Sequence, residues 1–379
     1  NARTRLTEGD WGPVVVDEHL LYLRGPTLLA QRLSLADGRL TGDPAVVLEG
    51  VAGASTGFMG VSVSRRGTLA YAQTWPTSGE LLWFSRDGRA LAPPAAPFAD
   101  YVSLALSPDD SRVAVSRVDP QVGMADVWVL DLTRGVTTRL TSGSMNEAGA
   151  LWWPDGTRIL FRSNPGGYND LFVRGTDDGR PVETFFESHG NPLAQMLPTH
   201  LSRDGADLIF TNAGAATSSW DLWDLRTESL RPRPILQSSF HEYQGVLSPD
   251  GRFLSYVSEE TGAPQVYVQS FPDGEQRVQV SADGGSEPQW RDDGRELFFL
   301  RADRMLMAVP VSLRPTFKTE EPRPLFQTRV PILANPFRWH YDVSADGERF
   351  LVNTAPAFVP PPAIHVVLDW RALLPRHEN

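Results

Sequence analysis

The sequence contains no cysteine. Disulfides, thiol catalysis and cysteine-ligated zinc are therefore excluded. No apolar run approaches the roughly 18–20 residues that a membrane-spanning helix needs. No dense Lys/Arg stripe occurs, and the formal net charge is −11. A protein that tracks nucleic-acid phosphates is thereby excluded, and the charge favours solubility. No long window carries the 3.6-residue apolar period of a helical solenoid. The chain starts at Asn1 without a signal peptide. It reads as an excised piece of something longer, with any anchor or targeting segment expected outside it.

What is present is a repeat. The chain has 31 prolines and 32 glycines, and their even spread is that of many tight turns. It also has 11 tryptophans, a residue type that favours strands. One short phrase returns every 43 to 53 residues. It reads SRRG at 64–67, SPDD at 107–110, WPDG at 153–156 and SRDG at 202–205. It continues as SPDG at 248–251, RDDG at 291–294 and SADG at 344–347. Each copy lies between two short apolar runs. Asp-Gly between such runs marks a hairpin, because glycine accepts the positive φ of the turn.

The unit around SPDD is representative. Runs at 102–106 and 112–116 flank the turn, and runs at 126–132 and 136–141 follow. Four strands in a unit of this length are expected to form one blade of a β-propeller. A degenerate turn at Asp17 and Glu18 supplies a first unit. The last unit has strands at 341–343, 349–353 and 364–370 but lacks a fourth. The segment TRLTEG at 4–9 matches TRLTSG at 138–143, which is an outer strand. It is expected to pair with 364–370 and close the ring, removing exposed sheet edges.

The expectation is thus an all-β chain, a single propeller of eight four-stranded blades, with seven as the alternative. One domain spans 1–379, with 1–9 as the closing strand. The blades fall near 10–50, 51–95, 96–143, 144–190, 191–238, 239–282, 283–330 and 331–375.

The SPDG phrase, followed by DVWVLDL at 126–132 or QVYVQSF at 265–271, resembles the TolB-type propeller repeat; the GH and WD signature of WD-repeat proteins is absent. A closer likeness lies in segments such as RLTGDPAVVLEGV at 39–51, VSVSRRGTLAY at 61–71 and the run 265–300. The ends ERFLVNT at 348–354 and IHVVLDW at 364–370 extend it. These are similar to the C-terminal propellers of membrane-anchored bacterial serine/threonine kinases, in acidobacteria-like organisms. The resemblance implies an extracytoplasmic sensor or interaction module, with a cytoplasmic location as the alternative. The kinase half is not in this chain, which has no HRD, DFG or glycine-rich loop with a lysine strand.

Few motifs suggest chemistry. GASTG at 53–57 matches a nucleophile elbow, yet it sits in a small-residue linker rather than between strand and helix. The Asp-rich turns fit no twelve-residue calcium loop, and they read as hairpin turns whose Asp caps its own backbone. A calcium ion held in the channel is the alternative, and no other cofactor is expected. The histidines show no zinc spacing.

Connectors between an outer strand and the next inner strand lie on one face of a propeller, around its channel. They hold Trp11, Tyr101, Glu147, His189, His241, Tyr243, Glu287, Trp339 and His340. Aromatic, acidic and imidazole groups around a concave mouth are what a binding site is built from. The repeated turns fall on the opposite face. The expected function is non-catalytic binding of a protein, peptide or envelope-derived ligand by a monomer, with no nucleic acid. The alternative is a metal-dependent hydrolase or lyase using Glu147, His189, His241, Glu287 and His340 in the channel.

Overall fold

The computed structural model describes all residues except 1–5, 7–12, 25–26, 52–60, 73–77, 92–95, 97, 120–122, 144, 166–168, 178, 189–194, 214–218, 332–337, 356–363 and 375–379. The described chain is all-β, with one short 3-10 turn at Trp370–Leu373. It divides into two compact units. Unit 1 comprises Asn1–Pro76, Gln121–Gly123 and Phe358–Asn379, and unit 2 comprises Thr77–Pro120 and Met124–Ala357.

In unit 1, β1 (Val14–Val16), β2 (His19–Arg24), β3 (Thr27–Ser34) and β4 (Arg39–Leu48) form an antiparallel meander. The period of two is visible in its packing. Leu21 and Leu23 join Leu28 and Ala30 in one core, while Leu20 and Tyr22 join Leu29 and Leu33 in another. A second sheet holds β5 (Val61–Val63), β6 (Leu69–Ala72) and the late strand Ile364–Val367. Trp370 is fully buried beside Val16 and Leu69.

Unit 2 begins with β7 (Ser78–Ser85). β8 (Ala99–Leu106), β9 (Arg112–Val118), β10 (Ala125–Asp131) and β11 (Val136–Arg139) follow and pair in that order. The next sheet is β12 (Ala148–Trp152), β13 (Arg158–Ser163), β14 (Asp170–Gly175) and β15 (Glu183–Phe186). Then come β16 (Met196–Leu201), β17 (Asp207–Ala213), β18 (Trp220–Arg226) and β19 (Arg231–Leu236). After them come β20 (Glu242–Leu247), β21 (Phe253–Ser258), β22 (Gln265–Ser270) and β23 (Arg277–Gln279). The fifth sheet holds β24 (Ser286–Trp290), β25 (Glu296–Leu300), β26 (Met305–Ser312), β27 (Lys318–Thr319) and β28 (Arg323–Gln327). Last come β29 (Tyr341–Val343) and β30 (Arg349–Thr354); β30 pairs with Glu80–Ser85 of β7, while Ser78 and Gly79 of β7 pair with β8, so one seven-stranded sheet runs from β11 to β29. The late strand of unit 1 is β31.

The first strands neighbour one another in the order β8, β12, β16, β20, β24 and β29, and β29 in turn neighbours β8. A core fills each gap. Phe298 and Phe326 of the β24–β28 sheet pack with Tyr341 of β29 and Phe350 of β30. Leu351 of β30 and Trp83 of β7 pack against Leu104 of β8 and Val113 of β9.

Two expected pairings are corrected. The strand at 364–370 does not continue from β30; its described part, β31, pairs with β6. β7, expected to follow β6, instead completes β29 and β30. In a repeat every second strand offers the same alternating edge, so several third strands fit it. The single domain expected over 1–379 is met by two compact units. The proposed closing strand at 4–9 lies almost wholly outside the described residues, with Leu6 alone described.

Four copies of the phrase, at Ser107, Ser202, Ser248 and Ser344, share one device. The serine hydroxyl donates to the aspartate two residues on, as in Ser107 to Asp109 Oδ1 (2.6 Å) and Ser202 to Asp204 Oδ1 (2.6 Å). The same oxygen accepts the amide five residues on, as from Arg112 N (2.9 Å) and Asp207 N (2.9 Å). The hydroxyls of Ser107 and Ser111 hold the Asp109 carboxyl down at about 2.

Candidate functional site

The candidate site is a cavity of about 450 Å³ in unit 2. Its wall comes from the first strands β8, β12, β16, β24 and β29 and from the turns that follow them. A volume of this size suits a small ligand or an inserted side chain. Three nearly buried tryptophans, Trp152, Trp290 and Trp339, are among the residues that line it. Two of these are anchored by their own N–H groups, Trp152 to Ala105 O (2.9 Å) and Trp290 to Val246 O (3.2 Å).

The charged groups lie on and beside the turns. Asp110 belongs to SPDD, Arg203 to SRDG and Asp292 to RDDG, and all three line the cavity. Arg203 reaches Asp292, bonding its carboxylate and its carbonyl oxygen (2.8 Å). The pair joins the β16–β17 turn to the β24–β25 turn. Asp342 of β29 also lines the cavity. Its Oδ2 accepts from Leu106 N and its Oδ1 from Val343 N, both at 2.8 Å. Burial pushes the Asp342 carboxyl up to about 7, against those two amide bonds, and nearby Asp110 adds to the rise. His200 of β16 is pushed down to about 4, first by burial and then by Arg203.

The nine residues expected at a mouth fall differently. Trp11 and His189 lie outside the described residues. Trp339 is nearly buried, donates its amide to Val102 O (3.1 Å) and lines the cavity. Tyr101, Tyr243, Glu287 and His340 have no exposed surface. The Tyr101 carbonyl accepts from Arg338 and Asn353 (both 3.2 Å), and burial pushes its hydroxyl up to about 12. Tyr243 donates to Glu259 Oε1 (3.1 Å). His241 accepts Trp220 N at Nδ1 (3.1 Å), with the rings 4.5 Å apart. Glu147 is half-buried, its carboxyl raised chiefly by burial.

Glu287 and His340 do come together. The Glu287 carboxylate takes the His340 amide and bonds its Nδ1, both at 2.6 Å. The Glu287 amide donates to Gln244 Oε1 (2.9 Å), and Tyr341 OH donates to the Glu287 carbonyl (2.8 Å). This chain of bonds stitches β20, β24 and β29 together. It arises from a shared bulge. β8, β12, β16, β20 and β24 each slip register near their starts. Gly149, Gln244 and Glu287 sit there at φ of 69°, 55° and 56°. A bulge re-aims its side chains, and Gln244 and Glu287 are aimed into the interior. Among the described residues no three metal-ligating side chains gather.

Asp110, Arg203 and Asp292 stand inside copies of the phrase and read first as turn chemistry, while His200 and Asp342 each lie two residues before a copy. Residues of the turns, which the sequence places on the face opposite the expected mouth, line this cavity.

No family model matches the chain. Among solved structures it is similar to a putative TolB from Agrobacterium tumefaciens, at 16% identity and a TM-score of 0.56. That match covers 74% of this chain and 99% of the other. The fold is a TolB-like β-propeller. Weaker likenesses carry no further weight. TolB from Acinetobacter baumannii matches at 16% identity, over 83% of this chain and 79% of that one, with a TM-score of 0.49. Oligogalacturonate lyase from Vibrio parahaemolyticus matches at 12% identity over 82% of each chain, with a TM-score of 0.49. Within this TolB-like frame the cavity is walled by five first strands, β8, β12, β16, β24 and β29.

Proposed function

We propose that this TolB-like propeller is a binding module rather than an enzyme, with the central cavity as its site. The observation that carries the reading is the volume of about 450 Å³ bounded by five first strands, with three tryptophans among its lining residues. The Glu287–His340 pair has no exposed surface, so it suits a structural role better than a catalytic one. On this reading the module is monomeric and takes a protein, peptide or envelope-derived ligand outside the cytoplasm, as part of an envelope or kinase-linked protein. We also assign unit 2 six blades, the last completed by β7, and give 4–9 the role of fourth strand on β31. The position of β31 at the edge of its sheet among the described residues supports the latter.

Ala345 lines the cavity beside Asp110, so Ala345→Trp plugs it. Native protein and this variant, matched for folding by circular dichroism, are used to capture ligands from a bacterial envelope extract. A species held by the native protein and lost by the variant supports the cavity. Equal capture by both overturns it.

A further inference from the structure

We propose that the cavity takes the cationic head of its ligand, an ammonium or guanidinium, with Asp342 and Asp110 as its anchors. This rests on the reading of the cavity as the binding site.

The charge balance of the wall is the first argument. Three carboxylates line the cavity, Asp110, Asp292 and Asp342, against the guanidinium of Arg203 and the imidazole of His200. Arg203 is engaged by Asp292. His200 is held neutral well below pH 7. Asp342 receives only two backbone amides, and Asp110 only the amide of Ala345 (3.0 Å). Neither has an ion-pair partner among the described residues. A carboxylate offers about four acceptor sites, so both keep capacity for a cation in the cavity.

The second argument is where Asp110 stands. Six other copies of the phrase place glycine there, Gly67, Gly156, Gly205, Gly251, Gly294 and Gly347, all at positive φ. Asp110 holds φ 57° instead, at a cost on the order of 1 kcal/mol for a side chain in that region. The one copy that accepts this cost puts a carboxylate into the cavity wall. The wall adds a third: Trp290 and Trp339 line it, and Trp is the aromatic side chain that attracts organic cations best, whereas the Trp152 ring is already covered by Arg112 at 4.7 Å.

The test is an isothermal titration at pH 8 with three probes of one shape, namely benzylamine, benzyl alcohol and benzoate. The expected result is benzylamine binding at least about tenfold tighter than benzoate, the scale of one charge-assisted hydrogen bond. Asp342→Asn and Asp110→Gly are each expected to remove most of that preference. Asp110→Gly restores the residue of the other copies, so it keeps the turn even where Asp342→Asn disturbs folding. Benzoate binding as tightly as benzylamine overturns the proposal, as does benzylamine affinity unchanged in Asp110→Gly. Failure of all three probes to bind also overturns it. The Ala345→Trp capture decides the cavity separately.

Discussion

Two residues that line the cavity titrate in opposite senses. The Asp342 carboxyl is raised from an ordinary 3.8 to about 7. Between those values the folded protein keeps a proton that the unfolded chain has lost. Stability from this group is therefore full below pH 4 and lost as pH rises towards 7. His200 is lowered from 6.5 to about 4. There the unfolded chain binds the proton first, so stability is full above pH 6.5 and lost as pH falls towards 4. Melting temperatures from pH 4 to 8 separate the two. Relative to native, His200→Gln is expected to gain ground as pH falls, and Asp342→Asn as pH rises. Parallel curves for native and variant would refute the assigned shift. Glu287 makes a different claim. Removing it strips the His340 amide and ring nitrogen of their acceptor inside a closed core. Glu287→Ala is expected to cost about 3–5 kcal/mol in urea unfolding, and Glu287→Gln visibly less. A cost under about 1 kcal/mol, the scale of an exposed pair, would show that the stitch across β20, β24 and β29 is not made.

At the scale of elements, β7 is the least expected. Its pairing with β30 brings Gly79 against the start of the next loop. A Cβ there would lie 2.9 Å from the Thr354 carbonyl oxygen and closer still to the Asn353 side chain. Gly79→Val is therefore expected to break the β7–β30 pairing, at about 3 kcal/mol or more. Limited proteolysis should then cut near 73–77 faster than in the native protein; unchanged cleavage would count against this strand order. The sequence showed the four-stranded units and most of their bounds, because turn phrase and alternation agree, as in β20 to β23. It did not show which third strand each second strand takes. β6 and β30 present equivalent edges, and the turn phrase says nothing about the partner. Of the expected site residues that are described, only Trp339 lines the cavity. Gln244 and Glu287 look like connector residues until the bulge turns them inward, and only Gly149 marks that bulge in sequence. Asp110, Arg203 and Asp292 were hidden by regularity, since a repeated turn reads first as structure.

At the scale of the whole molecule, the two units carry separate cores. Trp370, Leu21, Leu28 and Leu69 belong to one, and the six cores between the sheets of unit 2 share no member with it. Separate cores of this kind unfold as separate cooperative units. Calorimetry of the full chain is expected to show two transitions. The second sheet of unit 1 ends on β31, whose Ile364 and Val366 are exposed, as is Leu368 just beyond it. An exposed apolar edge strand is a liability that a fourth strand would remove. If 4–9 supplies that strand, deleting residues 1–9 should lower one transition by several degrees, at about 4–8 °C per kcal/mol for a small unit. The other transition should stay in place. Tail residues with no such role would leave both unmoved, and a shift of both together would show that the units melt as one.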